Sequence, residues 1–285
     1  MRRTPGSATR TRVRAPGTVR PARRPAGWRA PGPRPAAPAM APGADEDLCY
    51  LAGDWRIFQR VDGHRWSLDD LVTAWFAARQ MPVAPRTFLD LGCGIGAVLM
   101  LLAWRFPDAR GVGIEAQALS VELARRSLVW NGAADRCCVV HGDLRDAVTG
   151  TFDLVTGTPP YLLPGTATPS PRVQRGPCHI AYRGDVADYC RAAAHALAPG
   201  ASFVVCEAAA HGALVEAAAG RAGLAIVRRR DVVPRAGKAP LFSVYAMRVG
   251  GSRVPAADAP LVVRDRFGRR TDEFRRLRAE MGLPP

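Results

Sequence analysis

An apolar run that breaks into alternating glycines constrains this chain more than any other feature. Residues 88–96 read FLDLGCGIG, followed at once by the helix-like AVLMLLAWRF. Phe and Leu around one Asp make a short strand buried on both faces. Gly92, Gly94 and Gly96 then allow a tight turn and a close approach of backbone amides to a ligand. A strand that feeds a helix through such a turn is the opening of a parallel α/β sheet.

The rest of the chain repeats that theme. TFLDL (87–91), GVGIE (111–115), CCVVH (137–141), FDLVTG (152–157) and SFVVCE (202–207) read as buried strands. LSVELARRSLVWNG (119–132) and ADYCRAAAHALAPG (187–200) have helical apolar spacing and end at a glycine, the usual stop. Alternation of the two kinds predicts a mostly parallel sheet with helices on both faces. GLAIVRRRDVV (223–233) and PLFSVYAMRV (240–249) are joined by a short turn, which predicts an antiparallel hairpin closing one edge of a seven-stranded sheet. Ahead of the sheet, Ser67 is a good N-cap with Asp70 three positions on, so SLDDLVTAWFAARQ predicts a helix covering the ligand pocket. Residues 250–285 end in a strand, a turn at Gly268 and a helix capped by Thr271.

Charge is placed unevenly. The formal net charge is +15, yet residues 1–44 hold ten arginines and no acid, which leaves +5 for the other 241 residues. This Arg/Pro/Ala-rich stretch has almost no large apolar residues, so its composition predicts disorder. Three uses compete for it: a plain tail, an RNA-tethering arm, or an Arg-rich transit peptide. Seven cysteines without a C-x-x-C pair point to a reduced compartment and no disulfide framework. A cytoplasmic location follows, or an organelle if the tail is a transit peptide. Five isolated histidines offer no metal spacing, and no apolar run is long enough for a membrane span.

The chemistry-bearing residues lie at strand ends. Asp90 precedes the glycine turn and is placed to meet an amino group of the ligand. Glu115, 19 residues after Gly96, ends the second strand, where a carboxylate accepts from both hydroxyls of a ribose. Asp143 follows the third strand and can accept from an adenine amine. These features suit a nicotinamide dinucleotide as well as S-adenosylmethionine. The segment TPPY (Thr158–Tyr161), 62 residues after Gly96, separates them. An exocyclic amine is a poor nucleophile because its lone pair is delocalised into the ring. Two acceptors on its protons, the Thr158 side chain and the Pro159 carbonyl, favour the pyramidal form that attacks a methyl group. Pro159 and Pro160 hold this backbone rigid, and Tyr161 can stack on the planar acceptor. Arg172, Arg175 and Arg183 in the long 162–186 loop, and Arg228, Arg229 and Arg230, are candidates for phosphates or for a solvated charged face.

LDLGCGIG, GIEAQ, GD and TPPY, in this order, resemble the small-domain class I S-adenosylmethionine-dependent methyltransferases. Within them the chain is most similar to bacterial tRNA (adenine-N6)-methyltransferases acting on adenine 37 of a valine tRNA. GHRWSLDDLVTAWFA, AYRGDVADY and LVVRDRFGRRTDEF carry the same resemblance. It implies a Rossmann-like domain over 45–285, made of a cofactor-covering segment (45–85), a core (86–249) and a C-terminal strand and helix (250–285). It also implies S-adenosylmethionine as cofactor, an RNA substrate, and Ser67 and Asp69 beside the cofactor; Ala74 and Trp75 match further family positions. One position departs: the family's tetrapeptide is Asn-Pro-Pro-Tyr, and here Thr158 stands first. Two rival readings therefore stay open, methylation of a glutamine amide in release factors and a cofactor-binding scaffold without activity.

Overall fold

The structure is a computed structural model that describes residues 17–20, 24–161, 184–250 and 256–285. The chain enters through a small sheet. Strand β1 (Thr18–Val19) lies parallel to β2 (Glu46–Tyr50), which pairs antiparallel with β3 (Arg56–Arg60). Helix α1 (Leu68–Arg79) follows, and the Asp70 carboxylate accepts from the Ser67 N–H at 2.8 Å, as the N-cap spacing predicts.

The composition of residues 1–44 predicts disorder, and over the described part of that stretch the structure differs. Arg20 pairs with the fully buried Asp47 at 2.7 Å, and Arg24 pairs with Asp54. A Cβ on Gly32 would sit 2.5 Å from the Trp104 indole, and one on Gly132 would sit 3.3 Å from Ala36. The segment crosses the body of the domain at van der Waals distance. Few large apolar residues are needed, because the domain supplies Trp104 and Asp47, and the arm supplies backbone, arginine, the Ala36 methyl and Met40, which packs on the core.

The main sheet contains β4 (Thr87–Leu91), β5 (Arg110–Glu115), β6 (Cys137–His141), β7 (Phe152–Gly157), β8 (Leu197–Ala208), β9 (Leu224–Val233) and β10 (Phe242–Val249). Its order is β9-β10-β8-β7-β4-β5-β6, parallel except for β10, which runs antiparallel to both neighbours. Two short strands, β11 (Ala256–Ala257) and β12 (Leu261–Val262), add to β9 in parallel. Helices α2 (Ala97–Arg105), α3 (Ala118–Asn131), α4 (Val186–Ala196), α5 (Gly212–Arg221) and α6 (Asp272–Glu280) complete the chain.

Alternation along the strands builds a core on each face. Phe88, Val204 and Cys206 point to the layer shared with Trp55, Phe58, Phe76 and Leu99, whereas Leu89, Leu91, Phe203 and Val205 point to the layer shared with Tyr189 and Val215. Gly132 stops α3 at φ 71, and Thr271 caps α6 by accepting from the Phe274 N–H at 3.2 Å. Helix α4 departs from its expected span. It ends at Ala196, not at Gly200, and β8 begins at once. Pro199 accounts for this, since a proline turns the preceding residue away from helical dihedrals.

Strand order reverses on either side of β4, so connections leave β4 and β7 in opposite directions. A crevice opens at the carboxyl ends of these two strands.

Candidate active site

The glycine turn sits at that crevice, and each glycine answers a different demand. All three have positive φ, 58° at Gly92, 55° at Gly94 and 85° at Gly96. A Cβ on Gly92 would lie 2.0 Å from the Tyr189 hydroxyl, and one on Gly96 would lie 3.1 Å from Ala124 Cβ. A Cβ on Gly94 would meet no protein atom within 4 Å. Two glycines thus serve packing, and the middle one leaves open space.

That space is a cavity of about 570 Å³. Residues 63–70, the glycine turn, the end of β5, the Gly142–Leu144 turn and Thr158–Tyr161 surround it, with Gly184 and Tyr189 at its side. Ser67, Asp69, Gly92, Gly94, Glu115, Asp143, Thr158, Pro159, Pro160 and Tyr161 all line it. Asp90 and Gly96 do not; Gly96 packs α2 on α3, and Asp90 lies beneath the turn. Trp66, Gln117, Leu144 and Tyr189 line it as well. Nothing in their residue types marks them, although Gln117 and Tyr189 lie inside the GIEAQ and AYRGDVADY segments.

Glu115 is pinned beside the turn. Its Oε2 accepts from the Gly94 N–H at 2.9 Å and its Oε1 from the Gln117 N–H at 2.7 Å. Asp143 faces the cavity with Arg145 on it, at 2.8 and 2.6 Å. Across the opening, the Tyr161 hydroxyl donates to Asp69 Oδ2 at 3.2 Å and lies 3.1 Å from Cys206 Sγ. Burial pushes the Tyr161 phenol well above its ordinary value, so it stays neutral and keeps its donor. The bond ties the tetrapeptide to the first turn of α1. Burial, and then neighbouring Asp69, also push the Asp70 carboxyl up.

Asp90 is 1% exposed. Its Oδ2 accepts from the Leu99 N–H at 3.0 Å, and its Oδ1 lies 2.8 Å from Thr156 Oγ1. Thr156 Oγ1 also lies 3.3 Å from the Leu89 carbonyl. A hydroxyl has one proton. Thr156 donates to Asp90 at the shorter distance, with the Leu89 carbonyl as the competing acceptor. Burial pushes the Asp90 carboxyl up to about 7, against the Thr156 and Leu99 hydrogen bonds, which pull it down. The unfolded carboxyl ionises at ~3.9, so folding takes up a proton between that pH and about 7. Stability from this group is present below the lower pH and is lost as pH rises through the folded value. Asp90→Asn, neutral at every pH, is expected to stabilise the chain relative to the parent above pH ~7, with the advantage shrinking toward pH ~4. Melting curves of both proteins across that range measure the difference, and a difference independent of pH contradicts a protonated Asp90.

Among the described residues, no helix is long and apolar enough to cross a membrane, and no cluster of three His, Cys, Asp or Glu side chains could hold a metal ion. Arg228 pairs with Asp258, Arg229 with Asp231 and Arg230 with Glu273, so these three candidates for phosphates have acid partners within the protein. Arg172, Arg175 and Arg183 lie outside the described residues.

Known proteins match the segment that builds this cavity. Residues 70–170 match the model of the methyltransferase small domain. A release factor glutamine methyltransferase of Bradyrhizobium diazoefficiens is 36% identical over 138 residues, 46% of this chain and 46% of that protein. A tRNA1(Val) (adenine(37)-N6)-methyltransferase of Porphyromonas gingivalis is 33% identical over 97 residues, 32% of this chain and 38% of that protein. The chain thus spans less than half the length of either relative. A crystal structure described as a predicted O-methyltransferase from Agrobacterium tumefaciens superposes with a TM-score of 0.60 at 20% identity, covering 76% of this chain and 98% of that one. The architecture is the Rossmann-like class I methyltransferase fold.

Proposed function

We propose that this chain is an S-adenosylmethionine-dependent methyltransferase whose acceptor is a planar exocyclic nitrogen, N6 of an adenine in tRNA. One observation carries the reading: the glycine turn and the Thr158–Tyr161 tetrapeptide line a single cavity. A volume of about 570 Å³ suits a cofactor with part of a substrate. The open space at Gly94 is a cradle that any side chain would fill, and the Glu115 carboxylate lies beside it, held on the Gly94 N–H. Asp69, Glu115 and Asp143 give the lining a negative character that favours a cationic ligand.

When bound, S-adenosylmethionine supplies an activated methyl group. The protein's part is orientation, worth roughly 7–11 kcal/mol when reacting groups are held in near-attack geometry. Thr158 Oγ1 and the Pro159 carbonyl accept from the two amine protons, and Tyr161 stacks on the ring. A base inside an RNA stack must be flipped out to reach them.

Glu115→Ala is expected to weaken S-adenosylmethionine binding by roughly 1.5–3 kcal/mol, the worth of a hydrogen bond to a charged group. Unchanged affinity by calorimetry would remove Glu115 from the cofactor site, and tighter binding of NAD would overturn the class.

The glutamine amide of a release factor is the second reading. The 138-residue match to such an enzyme favours it. Labelled cofactor with total RNA and total protein extract separates the two by where the label lands. Label in neither, with cofactor bound, would favour an inactive scaffold.

A further inference from the structure

We propose that two loops at the carboxyl edge of the sheet, residues 234–241 and 264–270, form a docking surface for the phosphate backbone of a single-stranded stretch of the RNA substrate; this rests on the reading of RNA as the acceptor.

Register brings these loops to the edge where the tetrapeptide lies. Gly157 at the end of β7 pairs with Val205, and three residues on, Ala208 pairs with Phe242. Phe242 in turn pairs with Val232, which pairs with Leu261. The β9–β10 loop and the turn after β12 therefore open beside Thr158. From β7 to β9 is three strand spacings, about 15 Å at ~4.8 Å each.

The two loops are bonded into one surface. The Ala236 N–H donates to the Arg264 carbonyl at 2.8 Å, and the Ala209 N–H donates to the Leu241 carbonyl at 3.3 Å, which ties the loops to the end of β8. The 264–270 turn is held by Asp265, whose Oδ1 accepts from the Phe267 and Arg269 N–H groups at 2.9 Å each.

Arg235, Lys238, Arg264, Arg266, Arg269 and Arg270 bring six cations against that one carboxylate. All but the half-buried Arg270 are exposed. Among the described residues none of the six pairs with an Asp or Glu side chain, although Arg270 donates to the Pro285 oxygen at 3.0 Å and Arg264 to the Gly268 carbonyl at 2.7 Å; Arg228, Arg229 and Arg230 on the adjoining strand each have an acid. Burial, then the Arg264 and Arg275 cations, push the Arg270 guanidinium below its ordinary value. Phe267 is 72% exposed at the tip, with the Arg266 guanidinium 4.8 Å from its ring centroid. Cations that track a backbone beside an open aromatic face are the elements of single-strand binding.

The test uses the full chain and a 17-nucleotide anticodon stem-loop RNA. The triple variant Arg235→Ala, Lys238→Ala, Arg266→Ala is expected to bind this RNA at least about tenfold more weakly. The slope of log affinity against log salt should flatten by about 2, at ~0.7 for each single-strand phosphate that is no longer neutralised. Phe267→Ala is expected to bind about fivefold or more weakly, with the slope unchanged. S-adenosylmethionine affinity should be equal in all three proteins. If the parent binds and methylates RNA but the triple variant has the same affinity and slope, the surface is refuted and the RNA reading stands. If the parent methylates only protein and binds no RNA, both fall.

Discussion

Tyr161→Ala is expected to lower turnover on the acceptor by about 10- to 100-fold, with S-adenosylmethionine affinity nearly intact. The magnitude is the worth of stacking, ~1–3 kcal/mol for each base. Tyr161 also holds the cavity's edge through Asp69 and Cys206, so Tyr161→Phe separates the two roles. The phenylalanine keeps the stacking face and loses the tie to α1. It should retain most affinity for the acceptor and lose turnover only moderately. Thr158→Val keeps shape and removes an acceptor, so it should lower turnover with little change in KM. Thr158→Asn is expected to retain or raise activity if the acceptor is an adenine. Full activity in Thr158→Val would show that the hydroxyl does not accept from the amine.

A chain beginning at residue 45 is expected to melt about 5–10 °C lower than the parent. Truncation strips the Gly32 backbone from Trp104 and removes Arg20, leaving buried Asp47 with Arg65 alone at 3.0 Å. Uncovering a large aromatic costs about 1.5–3 kcal/mol, and an ion pair losing one member adds to it. In a domain of this size each kcal/mol shifts the midpoint by about 2–4 °C. Arg65 also lines the active-site cavity, so a further effect on ligand affinity is expected. An unchanged melting temperature would show that the arm contributes nothing to the fold. The composition of residues 1–44 alone predicts that unchanged outcome.

The strands were the most legible part. TFLDL, CCVVH and FDLVTG read as strands with the bounds they have in the structure; the first and third are short runs buried on both faces, whereas CCVVH, at the sheet edge, buries Cys137 and Val139 and exposes Cys138 and Val140. The hairpin β2–β3 was hidden. EDLCY and RIFQR mix charge with apolar residues, and the charges Asp47 and Glu46 are buried only because Arg20, Arg65 and Arg126 reach them from elsewhere in the chain. Arg228, Arg229 and Arg230 look like a free basic run for the same reason, since their partners Asp258 and Glu273 are distant in sequence.

The sequence by itself determined the sheet, the glycine turn and the residues that meet at its carboxyl edge. Local sterics and strand alternation are written in neighbouring residues, so one chain read in order suffices for them. Only the tertiary structure decided which charges are free and which protons are held. Asp90 is a plain acid before the turn in the sequence; in the fold it lies beneath the turn, shielded from water, with Thr156 and Leu99 as partners. Arg266 and Arg230 are alike in the sequence, yet Arg230 has an acid and Arg266 has none among the described residues. Ion pairing and desolvation depend on through-space neighbours, and topology alone brings these together.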